Sequence, residues 1–321
     1  MKITNRKKIS LTLAVWAVND EYDYQSIPNY ISVTTLMKPL KQIILAKRLP
    51  EEERMQLDVE DLIASSYGTS IHSAVEHSWS KYKVNLKKLG YSDDVISRIK
   101  LNPKPEEITP DDIVIYQEQR GIAKIGKWNL GGKFDFVAEG RVEDVKSTSA
   151  YAWTMGSKDS DYQLQGSLYR LIHPDKITDG HIRINFLFTD WRKSDARSNP
   201  QYPQSRLAHR DIPLLSIAAT HDWAVNKLNQ LERYMDSPEE DIPDCTDEEL
   251  WIQPSKFKYY TDPSKTNGRA YRSFDTKKEA DDFMITRGKG GIVVEVKGGV
   301  RRCSYCPVFN ICKQQLRYNH D

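Results

Sequence analysis

Between Leu130 and Thr148 the chain reads LGGKFDFVAEGRVEDVKST, and apolar and polar positions alternate on both sides of Glu139-Gly140. Period-two alternation around so short a turn predicts a β-hairpin. Phe134 to Val137 run outward, Val142 to Lys146 return, and Gly140 supplies a residue that accepts positive φ. A two-residue turn then pairs Val137 with Val142, Phe136 with Glu143 and Asp135 with Asp144, setting two carboxylates across from each other. Lys146 lies beside Asp144 on their face, while Phe134, Phe136 and Val145 point to the other.

The same reading extends along the chain. Residues 9–18, ISLTLAVWAV, are apolar enough for a buried strand or a short helix, and periodicity leaves both open. Ser32-Val33-Thr34 is a cap signal ahead of Leu36, Ile43, Ile44 and Leu45, with Pro39 confined to the first turn or bending the segment. After the acidic stretch 50–61 a second helix follows. Ile71, Val75 and Trp79 form its apolar stripe, and His72 and Glu76 share another face at i,i+4. Gly68, one turn before His72, predicts close approach of that face to another backbone.

Residues 113–119 alternate as a strand ahead of the hairpin in the same antiparallel sheet, and Glu118 on it is carried as an extra ligand for any site at Asp135. From Tyr162 a helix brings Gln165 and Tyr169 to one face. Residues 182–188, the most apolar stretch, predict a central strand, and 217–235 a helix packed over the sheet. Between Pro254 and Gly299 two strands, a helix and a strand predict a small ββαβ insertion. The fold expected is α/β in the α+β sense, a mixed sheet flanked by helices. Three regions are expected: an N-terminal helical and strand region at 1–66, a core at 67–235, and 236–321 with the insertion and a cysteine-bearing tail.

Composition narrows the class. At 39% hydrophobic and 29% charged residues, this is a globular chain, and no apolar run approaches membrane-spanning length. MKITNRKK is a basic start without the apolar core of a signal peptide, which predicts a cytoplasmic location. Net charge is +2, from 47 Lys and Arg against 45 Asp and Glu, so global charge does not argue for nucleic acid. Its distribution says more. Residues 236–249 hold eight acidic and no basic residues, whereas 253–302 hold twelve basic and six acidic.

Opposed carboxylates destabilise a hairpin unless a cation resides between them, and oxygen donors suit a hard divalent ion such as Mg2+ or Mn2+. A solvated hairpin with ordinary surface charges is the bland alternative. Asp135 followed by Asp144-Val145-Lys146 resembles the motif of the PD-(D/E)xK nuclease superfamily. Upstream, Gly68-x-x-x-His72-x-x-x-Glu76 resembles the first motif of its RecB-type domains, and downstream Gln165-x-x-x-Tyr169 resembles their Gln-x-x-x-Tyr motif, in the same order. The resemblance covers about Ser32 to Leu171 and implies a restriction-endonuclease-like core. It implies that His72, Asp135 and Asp144 hold the metal, that Lys146 assists the attacking water, and that Gln165 and Tyr169 contact DNA. Without it, a lone helical His is more often structural, and a Gln and a Tyr one turn apart are usually amphipathic surface.

The four cysteines are Cys245 and the run Cys303-x2-Cys306-x5-Cys312. Clustering of this kind favours metal ligation over disulfides in a cytoplasmic protein. The triplet resembles the iron-sulfur staple of AddB-type and CRISPR-adaptation nucleases, which implies a 4Fe-4S cluster, with tetrahedral zinc as the alternative. In that family the fourth cysteine usually comes from the N-terminal region. This chain has Lys38-Pro39 there and no N-terminal cysteine, so Cys245 is expected to substitute.

The expected function is a Mg2+- or Mn2+-dependent DNA nuclease resembling phage-encoded exonucleases of recombination, repair or replication. Its partners would be DNA ends or single-stranded tails, with a recombinase, annealing protein or helicase. Two rivals stand beside it: an idle DNA-end or partner-binding module of the same fold, and an RNA-directed phosphodiesterase.

Overall fold

The structure is a computed structural model and describes residues 3–20, 23–50, 57–156 and 158–318. Residues 51–56 of the acidic stretch lie outside them. In chain order the helices are α1 (Leu11–Ala17), α2 (Val33–Leu36), α3 (Leu40–Arg48), α4 (Val59–Trp79), α5 (Tyr82–Lys88), α6 (Asp93–Arg98), α7 (Ala150–Met155), α8 (Asp159–Ile172), α9 (Lys193–Ser198), α10 (Ile217–Tyr234), α11 (Asp247–Leu250) and α12 (Lys277–Arg287). The strands are β1 (Tyr30–Ser32), β2 (Ile99–Leu101), β3 (Ile113–Ile125), β4 (Trp128–Ala138), β5 (Arg141–Thr148), β6 (His181–Phe188), β7 (Leu207–Pro213), β8 (Lys256–Tyr260), β9 (Arg272–Phe274) and β10 (Ile292–Val296).

The chain forms two compact units. The first comprises Met1–Lys38 and Gln56–Glu232, the second Pro39–Met55 and Arg233–Asp321. The expected N-terminal region is therefore not a separate body, because α3 belongs to the C-terminal unit. Pro39 explains the division: α2 stops at Leu36, and Pro39, which cannot donate a helical hydrogen bond, becomes the N-cap of α3. Within the second unit Lys41 pairs with Asp244 at 2.7 Å, and the Arg48 guanidinium donates to the carbonyls of Tyr234, Met235 and Ser237.

The first unit is built on a seven-stranded mixed sheet of order β2-β3-β4-β5-β6-β7, with β1 also pairing β4. β3-β4, β4-β5 and β6-β7 are antiparallel, while β5-β6, β2-β3 and β1-β4 are parallel. Glu139 and Gly140 both have positive φ, 48° and 82°, which closes the two-residue turn that matches strand twist. Phe134, Val142, Ile182, Ile184 and Leu168 are fully or almost fully buried. Each contributes about 1.5–3 kcal/mol by leaving water. The ambiguous stretch 9–18 resolves to α1, which turns Ala14 and Ala17 inward, and Ser66 Oγ on α4 donates to the Ala17 carbonyl at 2.7 Å.

One irregularity of the sheet positions the site. On one edge of β4, residues 129–131 pair with β1 and residues 136–138 with β5. Between them that edge is unpaired, and Asp135 sits in the gap. β5 diverges after Phe136↔Glu143, so Asp135 and Asp144 are not a ladder pair, contrary to the hairpin expectation. Instead the Val145 N–H donates to Asp135 Oδ2 at 3.0 Å, a side chain replacing the missing backbone acceptor.

In the second unit a three-stranded antiparallel sheet of order β10-β8-β9 packs against α12, giving the expected ββαβ lobe. α12 starts at a Thr276–Glu279 capping box and stops at Gly288, whose φ is +63°. No helix among the described residues is long and apolar enough to cross a membrane.

Candidate metal centre and cysteine pocket

His72 projects from the middle of α4, which the Asp58–Asp61 capping box initiates. Its Nε2 lies 2.7 Å from the Val145 carbonyl oxygen and its Nδ1 3.2 Å from Asp135 Oδ2. Both ring nitrogens thus face acceptors. A neutral imidazole carries a single N–H, so it satisfies one contact and leaves the other as lone pair against lone pair, which a proton or a cation must bridge. Glu118 faces Asp135 across β3-β4. The register is the same on either side of it, Gln117↔Phe136 and Gln119↔Phe134, yet Glu118 has φ +52°, a conformation that side chains other than glycine's rarely adopt. Such strain persists where surrounding structure enforces it, commonly at functional sites. One ligand atom from each of His72, Glu118 and Asp135 lies within 4.8 Å of the other two.

Of the residues expected to hold the metal, His72 and Asp135 are together, and Glu118, expected only as an extra, completes the group. Asp144 stands beside it. It is 2% exposed, its Oδ2 is 2.7 Å from Lys146 Nζ, and its Oδ1 accepts from Gln165 Nε2 at 3.1 Å. Burial first, and then the charge of Asp144, push Asp135 up to about 7. Burial lowers Lys146, but the carboxylates of Asp144 and Asp135 outweigh it, and the ammonium is held above its ordinary value.

Gln165 and Tyr169 do share a face of α8, but it is turned inward. The Gln165 amide lies 3.1 Å from the Tyr169 hydroxyl, and Tyr169 is 5% exposed. They hold Asp144 from behind. Gly68 also differs from expectation. A Cβ there would meet Ser147 Oγ at 3.5 Å, an ordinary contact with a side chain, so no close backbone approach requires the glycine. Lys133, which the motifs do not include, forms an ion pair with Glu118. It lies two residues before Asp135 on one strand, so parity alone places it on the same face.

His72, Glu118, Lys133, Asp135 and Lys146 line a cleft of about 550 Å³ that also takes in Asn19, Thr69, Ser73 and Glu76. An imidazole, two carboxylates and a nearby carbonyl suit a divalent ion; the oxygens favour Mg2+ or Mn2+, and the nitrogen tilts the set toward Mn2+.

In the second unit Cys245, Cys303, Cys306 and Cys312 line one small pocket with Leu250, Val308 and Phe309. Three are carried by 3₁₀ turns or their caps, Arg302–Tyr305 and Phe309–Ile311. Cys245 is tied in by Gln314, which accepts from its N–H at 2.8 Å and donates to its carbonyl at 2.9 Å. Burial, with Glu249 and the other thiols, pushes Cys245 up to about 12, and burial raises Cys303. Thiolates are therefore disfavoured at Cys245 and Cys303 without a cation, and four thiols lining one pocket fit a metal-bound state.

No family model matches this chain, and no curated protein matches it. Among solved structures, one described as "Crystal structure of SSO0001" is 13% identical and covers 72% of this chain and 90% of that chain. Its TM-score is 0.43, a likeness that carries no argument about this protein.

Proposed function

We propose that the chain is a metal-dependent nuclease that hydrolyses DNA phosphodiester bonds, acting at ends. The observation that supports it is the gathering of His72, Glu118 and Asp135 in one cleft, with Lys146 and Asp144 alongside. His72 and Asp135, with Glu118 and the Val145 carbonyl, would hold a divalent ion, which would supply Lewis acidity toward phosphate and the activation of water. Lys146 stays protonated beside Asp144 and donates to the attacking water or to the developing charge on phosphate. Asp144 fixes that ammonium, and Gln165 and Tyr169 fix Asp144. Their contribution to DNA binding is thus exerted through the wall of the site.

The preference for ends and a recombinase, annealing protein or helicase as partner rest on the resemblance alone, and a cytoplasmic setting, in a host if the gene is a phage's, is proposed with them. For the cysteine pocket we propose a 4Fe-4S cluster, on the resemblance of the Cys303-x2-Cys306-x5-Cys312 run and the four thiols lining one pocket, with tetrahedral zinc as the alternative.

Digestion of end-labelled linear and closed-circular duplex DNA with Mg2+, Mn2+ or chelator tests this reading. Linear DNA is degraded with metal and spared with chelator. Asp135→Asn lowers the rate by about 10³-fold or more, since the ion supplies several kcal/mol of charge stabilisation. Cleavage at the parental rate by Asp135→Asn removes the site assignment. DNA-end binding without cleavage at any metal returns the chain to the binding-module reading.

A further inference from the structure

The ββαβ lobe carries an ordered layer of guanidinium groups and rings that the metal centre does not use. Residues 253–302 hold twelve basic and six acidic residues, a local balance of +6. The Arg287 guanidinium lies 3.9 Å from the Tyr271 ring centre and 5.5 Å from that of Tyr259. Arg272 lies 5.1 Å from both Phe274 and Phe283. Phe283 stacks on Tyr271 at 6.3 Å and 27° and meets Tyr259 edge-on at 5.5 Å. The strand-and-turn segment 271–274 and α12 thus present a continuous arginine-aromatic stack.

Packing of a small lobe accounts for the inner rings, since Tyr259 is fully buried. It does not account for the outer part. Tyr271 is 60% exposed, a large ring left to solvent. Among the described residues the lobe's ion pairs join Lys256 to Asp275 and Lys265 to Asp262, and neither arginine has a carboxylate. A guanidinium held flat on rings is pre-organised and weakly hydrated, and its free edge matches the paired oxygens of a phosphate.

We propose that this face binds a single-stranded polynucleotide, Tyr271 stacking on a base and Arg272 and Arg287 meeting adjacent phosphates. The exposed ring decides the strandedness: in a duplex the base faces are covered by their neighbours, whereas an unpaired base offers one. The binding is independent of the nuclease reading, because it is measured where that site is disabled and no divalent ion is added.

The test uses full-length protein carrying Asp135→Asn, with fluorescein-labelled dT20, U20 and a 20-base-pair duplex, by anisotropy across a salt series. The two single strands separate DNA from RNA as the ligand. Tyr271→Ala, at an exposed position, weakens single-strand binding about tenfold with the salt slope unchanged, and Tyr271→Phe restores it. Arg272→Gln with Arg287→Gln lowers the slope by about 1.4, from two phosphate contacts at about 0.7 each. Melting curves show whether the double variant keeps its lobe, and if it does not, Tyr271→Ala decides alone. Parental affinity in Tyr271→Ala overturns the proposal. So does equal binding of the duplex, or displacement of dT20 by polyglutamate as effective as by unlabelled dT20, which would reduce the surface to charge.

Discussion

The carboxylate site and the cysteine pocket are both gatherings of metal-ligand side chains, yet their scaffolds differ. His72, Glu118, Asp135 and Asp144 sit on a 21-residue helix and on strands of a seven-stranded sheet. Helical and ladder hydrogen bonds flank the gap at Asp135 and the irregular backbone at Glu118, so the frame that carries the donors is held whether or not an ion is bound. Cys245, Cys303, Cys306 and Cys312 sit on 3₁₀ turns and loops with little regular structure around them. There the donors have few other reasons to converge. A hard-donor site on a rigid frame can exchange its ion during work, whereas a soft-donor site on turns makes the ion part of the fold.

The largest effect follows from that difference. If the proposed centre is present, Cys245→Ser and Cys306→Ser should each abolish its iron or zinc and expose the tail to limited proteolysis. The free energy at stake is a large share of the roughly 10 kcal/mol typical of a structural centre. The proposed nuclease activity should fall only indirectly. Metal analysis paired with proteolysis checks it, and a Cys245→Ser protein with full metal content and an intact tail would place the fourth ligand elsewhere. The carboxylate variants should show the reverse pattern, with activity gone and the melting temperature of the first unit kept.

A smaller effect sharpens the account of the rigid frame. Gln165→Ala removes the donor to Asp144 Oδ1 and should lower activity about 10–100-fold, as losses of groups that orient a metal site do. If its role were contact with DNA, KM would carry the loss. If it orients Asp144 and Lys146, kcat carries it.

Acid provides the third comparison. His173 is 4% exposed, packs edge-on to Phe134 at 4.8 Å, and is pushed down to about 4 by burial and then by Lys176. Its pKa is depressed on folding, so the neutral ring contributes stability above about 6.5, and this is lost as pH falls toward 4. Asp135 has the opposite sign: its raised pKa means that stability is lost as pH rises from about 4 to about 7. The two partly cancel in the parent protein. Comparing parent with His173→Phe isolates the first, and their stability difference should change by on the order of 2 kcal/mol between pH 7 and pH 4. Parallel curves would show that His173 titrates normally.

Much of this was legible in the chain. The register of Val137 with Val142 and Phe136 with Glu143, the turn at Glu139-Gly140, and the ββαβ order of the lobe all follow from alternation and turn chemistry, which are local. What was not legible depends on distant segments. The end of β4-β5 pairing before Asp135 and Asp144 goes with the Asp135 carboxylate taking the Val145 N–H, while β5 keeps its parallel pairing to β6 on its other edge through Thr148. The left-handed backbone of Glu118 has no local signal, since a glutamate in an alternating strand predicts extended φ. Tyr169 reads as surface on a helical wheel and is buried only because α8 lies over the sheet.

The neck of the lobe has a consequence for how such a chain is assembled over evolutionary time. Ile252 bridges Val300, and the Gln253 N–H donates to the Gly299 carbonyl at 3.1 Å, so the segment between them leaves and re-enters the protein at one spot. A segment whose ends already touch can be gained, lost or exchanged by a single insertion or deletion without breaking the structure that hosts it. Residues 254–298 are in that sense separable from the structure that carries them. A gene in which they are replaced by a tight turn would still encode the cysteine pocket and the sheet, and the excised piece could be transplanted to another hairpin with its arginine-aromatic face intact.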